Sequence, residues 1–405
     1  MQVIFILSLF VLFSFFLFEP HIVFQATQSA VKLWAQTIVP SMLPFFILNN
    51  VLFAAGGIRL FGDMLSRPVK KLLGLPGDAA FILTAGYSTG VPVSASLIAE
   101  LRKENRLSRK EGNRLLAYSA NVSPAFILSA VAVSMLGAEE EGPYLAAVHY
   151  GTNFALMILC SFLFRWQNEE TRPSPQGPKA KTDEVFSVPM IIDALFKSIR
   201  TIFLIGGVII IFFILIAFLD TTGMFALLSR ILTRTPDQQE TLHATVCGWM
   251  EITAGAQKIS GLNVPFPLKR AVLSGVLAFG GLSALTQIVS QIQETDLSVR
   301  FYLRYKIIQG ALAFTVSLLF PLKTEGVLAS LDFAHSTPLA SHIPIGCVFY
   351  GIAVFSAILL IFRRLYCAEQ KRRIFSRYSA GFHHGFFSRC KALYRDCFQS
   401  DKEHR

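Results

Sequence analysis

Apolar residues run in long blocks along this chain, separated by short polar stretches. Crossing the hydrocarbon core of a bilayer takes about 20 mostly apolar residues in an α-helix. On that measure the pattern predicts eight transmembrane helices, near 2–19, 31–56, 112–137, 143–165, 194–219, 269–291, 300–321 and 343–363. Two further segments, 78–100 and 241–262, are apolar but interrupted by Gly, Pro, Ser and Thr. Each predicts a re-entrant hairpin, which survives at membrane depth only when buried in protein or lining a wet cavity. The expected fold is therefore all-α: a polytopic membrane protein of about eight transmembrane helices plus two re-entrant hairpins.

Composition supports that class. Of 405 residues, 53% are hydrophobic and 16% charged, with 37 phenylalanines and a mean hydropathy of +0.52. A soluble domain carries about 25% charged residues, so this chain lacks the polar surface to cover a water-exposed globule. The formal net charge of +11 does not point to nucleic acid. Its Lys and Arg fall in short loops and the C-terminal tail, as the positive-inside rule requires, whereas a basic nucleic-acid binder gathers them on one folded face.

Charge also predicts orientation. Arg59, Arg67, Lys70 and Lys71, then Arg102, Lys103, Arg106, Arg109, Lys110 and Arg114, mark the cytoplasmic side, and Glu139, Glu140 and Glu141 mark the other. The linker from Gln167 to Phe186 and the basic tail from Arg363 onward should be cytoplasmic, which puts both termini inside. Glu294 and Asp296 fit less well, being acidic residues on the predicted inner side. Segment 1–18 has no Lys or Arg before it and no small-residue cleavage site. It reads as a first membrane helix and not as a cleaved signal. Six scattered cysteines form no CxxC pair, and His383, His384, Cys390 and Cys397 match no standard zinc spacing. No metal or other cofactor is expected.

The linker separates two halves with the same order of parts. Thr201-Ile202 follows Thr37-Ile38 by 164 positions, Gly248 follows Gly86 by 162, and Gly280 follows Asn121 by 159. Corresponding spans cross in opposite senses, which predicts an inverted-topology repeat with the binding site at the interface of the halves. The expected divisions are an N-terminal helix (1–28), a first repeat (29–166), the linker (167–186), a second repeat (187–322), an outer loop with the last span (323–366) and the tail (367–405).

Four polar interruptions are candidate substrate-binding elements. In the first hairpin, Gly86, Tyr87, Ser88, Thr89 and Gly90 precede Pro92, where glycine and proline oppose a continuous helix. A half-helix N-terminus exposed there attracts anions, although a packing turn uses the same residues. Asn121 and Ser123 precede Pro124, which should leave the Ala120 carbonyl without its helical donor; a structural kink is the alternative. In the second hairpin Glu251, followed by Thr253, is an ionisable group in an apolar stretch. Such a group is costly at depth and functional by default, as a proton or cation site or a counter-charge, with Lys258 as a possible partner; snorkelling from the interface is the bland reading. Gly280, Gly281, Ser283 and Gln287 combine close-packing glycines with a polar i, i+4 pair that could face Asn121, or serve helix packing alone. No Walker A, HExxH, GxSxG or paired-carboxylate motif is present, so neither enzymatic activity nor ATP-driven transport by this chain is expected.

The stretches 38–47 (IVPSMLPFFI), 86–92 (GYSTGVP), 114–118 (RLLAY), 251–253 (EIT) and 279–283 (FGGLS) together resemble the YlbJ family of sporulation integral membrane proteins, also called SpoVV. That family carries a pair of nucleoside-recognition Gate domains. The resemblance covers nearly the whole chain up to about residue 365. It implies a core similar to that of concentrative nucleoside transporters and a role in endospore formation: passing dipicolinate from the mother cell towards the forespore, across the outer forespore membrane. The chain departs from the family at Asn121-Val122-Ser123-Pro124, where an Asn-Pro-Gly-Pro-like break is expected, and at Thr253-Ala254-Gly255, where Thr-Asn-Gly is expected. The resulting expectation is a transporter or channel for a small anion. Alternatives are nucleoside or cation-coupled transport using Glu251, or a non-transporting scaffold that recruits other sporulation membrane proteins through the basic tail.

Overall fold

A computed structural model describes residues 2–165 and 187–320, and every regular element among them is helical. The linker at 167–186, the predicted span at 343–363, the basic tail and its Cys and His residues lie outside the described residues.

Helix α1 (Gln2–Phe18) is a run of Phe, Leu, Ile and Val, with Phe10 and Leu17 more than 60% exposed. Pro20 opens α2 (Pro20–Leu33), which passes through a π-type turn at Trp34–Ile38 into α3 (Val39–Ala54). The second long helix thus starts well before the expected residue 31. Left-handed Gly56 and Gly74 bound the amphipathic α4 (Gly57–Leu73). Then come α5 (Asp78–Thr89), α6 (Val91–Lys103) and α7 (Arg109–Ser119). At the start of α7, Ser108 Oγ accepts from the Glu111 amide at 3.2 Å while the Glu111 carboxylate accepts from the Ser108 amide at 2.7 Å, a reciprocal cap. A π helix (Phe126–Met135) leads to α8 (Glu141–Arg165). Beyond the linker lie α9 (Val188–Thr221), α10 (Met224–Leu232), α11 (Pro236–Met250), α12 (Ile252–Gly261), α13 (Phe266–Phe279), α14 (Gly281–Ile292) and α15 (Arg300–Leu319).

Among the described residues, four helical stretches are long and apolar enough to cross a membrane: Pro20–Ala54, Glu141–Leu163, Val188–Thr221 and Phe266–Ile292. Phe203 and Ile211 of α9 are over 60% exposed, an apolar surface suited to lipid. Two expected continuous spans are not continuous. The span predicted at 112–137 is α7 and the π helix with four non-helical residues between them, and the one at 269–291 is interrupted at Gly280. In both hairpin segments, the helices double back on each other: α5 packs along α6, and α11 along α12.

The long helices of the two halves pack together. Trp34 Nε1 donates to the Ile202 carbonyl at 3.0 Å, and Asn50 Nδ2 donates to Ser198 Oγ at 2.9 Å. Elsewhere α6 lies against α14, α7 against α15, and α13 against α8 and α15. Ion pairs tie the ends. Arg102 grips Asp296 in a fork (2.8 and 3.0 Å), Lys103 reaches Glu294, and Asn113 Oδ1 accepts from the Ser298 amide at 2.8 Å. The acidic loop that fitted the charge pattern poorly is thus neutralised by the basic end of α6. The hydrogen bond from Arg102 holds the Asp296 carboxyl below its ordinary range, so the pair stays charged through neutral pH and loosens only as pH falls below the carboxylate range. At the other end of α13–α14, Arg270 pairs with Glu141 at 3.3 Å and lies 4.2 Å over the Tyr144 ring.

Among the described glycines the closest approach is between α11 and α12, where a Cβ on Gly255 would lie 2.0 Å from the Gly248 Cα. Gly255→Val should therefore cost at least ~2 kcal/mol, seen as a large fall in the thermal unfolding temperature of the purified protein or as failure to accumulate. Gly207→Ala, which meets nothing within 4 Å, should leave that temperature unchanged or slightly higher.

Candidate functional site

The first interruption is at Gly90 and nowhere earlier. Its φ of 89° and ψ of −161° suit only glycine, and Pro92 follows in the first turn of α6, where a missing N–H is harmless. Gly86 lies inside α5 and serves a close approach, since a Cβ there would sit 2.4 Å from the Ser119 carbonyl oxygen. The hydroxyls of Ser88 and Thr89 both donate back to the Ala85 carbonyl, at 3.0 and 2.7 Å. Tyr87 is half-buried, and its hydroxyl accepts from Asn153 Nδ2.

Beneath Gly90 runs the gap between α7 and the π helix; a Cβ on Gly90 would lie 3.3 Å from the Asn121 carbonyl oxygen. The helix ends at Ser119, so the freed carbonyls are not the single one at Ala120 expected of a proline kink. The Tyr118 carbonyl accepts from Asn121 Nδ2 (2.8 Å) and Asn153 Nδ2 (3.0 Å), that of Ser119 from the Asn121 amide (2.9 Å), and that of Val122 from the Tyr150 hydroxyl (2.8 Å). Ser123 Oγ accepts from the Phe126 amide at 3.3 Å and caps the helix that resumes.

A second crossing repeats the arrangement. Between α11 and α12, Glu251 is extended (φ −141°, ψ 118°), only 2% exposed, and its carboxylate accepts from the Ala254 amide at 2.6 Å. It is the N-cap of α12. Lys258 is exposed and makes no ion pair with it. Thr253 is buried in the first turn of α12. Over this break lies the one between α13 and α14, where Gly280 and Gly281 both have φ above 80°. A Cβ on Gly281 would lie 3.3 Å from the Gly248 carbonyl oxygen and the Ile252 amide. Ser283 is buried and Gln287 half-buried on α14; no hydrogen bond joins either to Asn121. Ser123 and Glu251 cap two of the four resumed helices, while α6 and α14 open on glycine with no side-chain cap.

Residues that the sequence reading passed over lie between the crossings. Lys306 of α15 is 2% exposed, and its Nζ donates to Asn121 Oδ1 (2.8 Å) and Gln309 Oε1 (2.9 Å). Among the described residues no carboxylate lies within 4 Å of it. Gln309 Nε2 donates to the His149 carbonyl at 3.1 Å. His149 is 1% exposed, and neither ring nitrogen has a hydrogen-bond partner among the described residues; the same holds for the buried Tyr302 hydroxyl. That hydroxyl would stand 3.7 Å from a Cβ at Gly280. The Tyr305 hydroxyl donates to the carbonyl (2.7 Å) and Oδ1 (2.9 Å) of Asn153. The available signal was spacing: His149/Asn153 and Tyr302/Lys306 are i, i+4 pairs that put polar groups on one face of otherwise apolar helices. Along the chain Lys306 follows Arg300 and Arg304 and reads as a third charge of the same cluster.

Long apolar helices with outward-facing Phe and Ile, and polar groups gathered at buried breaks, make this an integral membrane protein. Over 339 residues, 77% of this chain and 83% of its relative, the sequence is 30% identical to the sporulation integral membrane protein YlbJ of Bacillus subtilis (strain 168). The chain belongs to the YlbJ family of sporulation integral membrane proteins. No protein-family model matches the chain, and no solved structure matches it.

Asn153 serves Tyr87, Tyr118 and Tyr305 at once. Asn153→Leu, which strands these buried groups, should cost ~2–3 kcal/mol, and Tyr87→Phe, which removes one acceptor, about 1 kcal/mol. Thermal unfolding of the two variants in the same detergent checks the ranking.

Proposed function

We propose that this protein is a non-enzymatic membrane transporter or channel for a small anionic metabolite, dipicolinate, carried from the mother cell towards the forespore during sporulation. The observation that carries this reading is the pair of crossings at which interrupted backbone meets interrupted backbone. Glu251 follows Gly90 by 161 positions and Gly280 follows Asn121 by 159, so each half contributes one doubled-back hairpin and one broken helix in the same order. This supports two Gate repeats, 29–166 and 187–322, in inverted topology, with the hairpins entering the bilayer from opposite faces and both termini in the cytoplasm. Irregular backbone at membrane depth is tolerated where it lines a site, and such sites lie between inverted halves. The uncapped N-termini of α6 and α14 present amide groups and the positive end of a helix dipole, which favours an anion. The lipid would be the mother-cell-derived outer forespore membrane, and nucleic acid has no place in this reading.

Glu251 is occupied as the cap of α12, so no structural observation favours its use in cation coupling. Purified protein in proteoliposomes should move dipicolinate down its gradient, and deletion of the gene should leave spores depleted of it. Absence of flux together with normal spore dipicolinate would reject the proposal.

A further inference from the structure

Lys306 stands apart from the other buried charges of the described core. Arg270 and Glu141 have each other, and Glu251 has the amide of Ala254. The Lys306 ammonium has only two side-chain amide oxygens. Neither amide is free to turn. Asn121 Nδ2 is held by the Tyr118 carbonyl and Gln309 Nε2 by the His149 carbonyl, so both oxygen ends are fixed towards Nζ. An ammonium has three donors, and two are used here. The rings of Tyr302 and Tyr305 flank it, each centroid 6.0 Å from Nζ, at the outer edge of cation–π attraction. An unneutralised cation in a low-dielectric interior is strongly disfavoured. The groups around this one are hydrogen-bonding but uncharged.

We propose that Lys306 is the cationic contact for a carboxylate of the transported anion, which takes the third Nζ donor that Asn121 and Gln309 leave unused. The inference rests on the transport reading above and adds its charge-selecting residue. The surroundings suit such a ligand. Tyr302, one turn before Lys306 on the same helix face, holds an unpartnered hydroxyl at the Gly280 break, while Lys306 itself reaches the Asn121 break. A small planar dicarboxylate could place one carboxylate on the ammonium and the other towards the opening of α14. His149, with both ring nitrogens unpartnered, adds a donor or an acceptor beside the same helix.

The test uses the full-length protein with two readouts: thermal stabilisation by dipicolinate in detergent, and dipicolinate flux into proteoliposomes. Lys306→Met should lose both, with flux falling at least tenfold, and Lys306→Arg should retain part of each. Asn121→Asp supplies a resident carboxylate to the ammonium. It gives up the Asn121 donor to the Tyr118 carbonyl, which Asn153 still serves, gains an ion pair in exchange, and should fold yet lose dipicolinate stabilisation and flux, which separates the proposal from a fold defect in Lys306→Met. Parent-like flux and stabilisation in a folded Lys306→Met or Asn121→Asp would overturn the assignment. Stabilisation of the parent that depends on Lys306, without any flux, would keep the site and remove the transport reading. A parent that is neither stabilised nor active would remove both.

Discussion

Hydrocarbon offers a peptide group no hydrogen-bond partner, and that constraint organises the centre of this protein. Among the described residues the chain leaves helix at four buried points, Gly90, 120–123, Glu251 and Gly280, and the groups freed there need partners. At the α7 break the carbonyls of Tyr118, Ser119 and Val122 are taken up by Asn121, Asn153 and Tyr150. At the hairpin tips, the Gly90 amide still donates to the Gly86 carbonyl, and the Glu251 carboxylate caps the Ala254 amide. The breaks lie against one another in pairs, Gly90 over Asn121 and Gly281 over Gly248 and Ile252. Glycine is needed at those crossings for reasons of space as well as torsion: Gly86 against Ser119, and Gly248 against Gly255.

The charges divide by depth. At one end of the helix pair α13–α14, Arg102 and Lys103 neutralise Asp296 and Glu294. At the other end, Arg270 and Glu141 face each other. Both sets join a helix of the first half to a helix or loop of the second, so they bear on how firmly the halves are held together. Between them, among the described residues, polar amides and phenols surround the Lys306 ammonium.

The elements were largely legible in the sequence, and the site only partly so. The hairpins and the broken helix at Asn121 could be read from Gly and Pro, because those residues act through their own backbone and need no neighbour to be interpreted. The exact points of interruption were less legible: Gly86 reads like Gly90 until a neighbouring carbonyl shows that one is a contact and the other a turn. Glu251 stood out as an acid in an apolar run, but its use as a helix cap appears only with the Ala254 amide in place.

Hydropathy and charge by themselves determined that the chain crosses a membrane, and its Gly, Pro and isolated polar residues marked roughly where its helices break. These are properties of a residue and its near neighbours along the chain, and lipid responds to them directly. Only the tertiary structure decided what the interruptions face. Lys306 sits near Arg300 and Arg304 in sequence, and spacing alone does not set it apart from them. The packing of α15 against α7 and α8 instead buries it next to Asn121, 185 positions away. The cost of a buried charge depends on what surrounds it in space, and one-dimensional spacing carries no record of that.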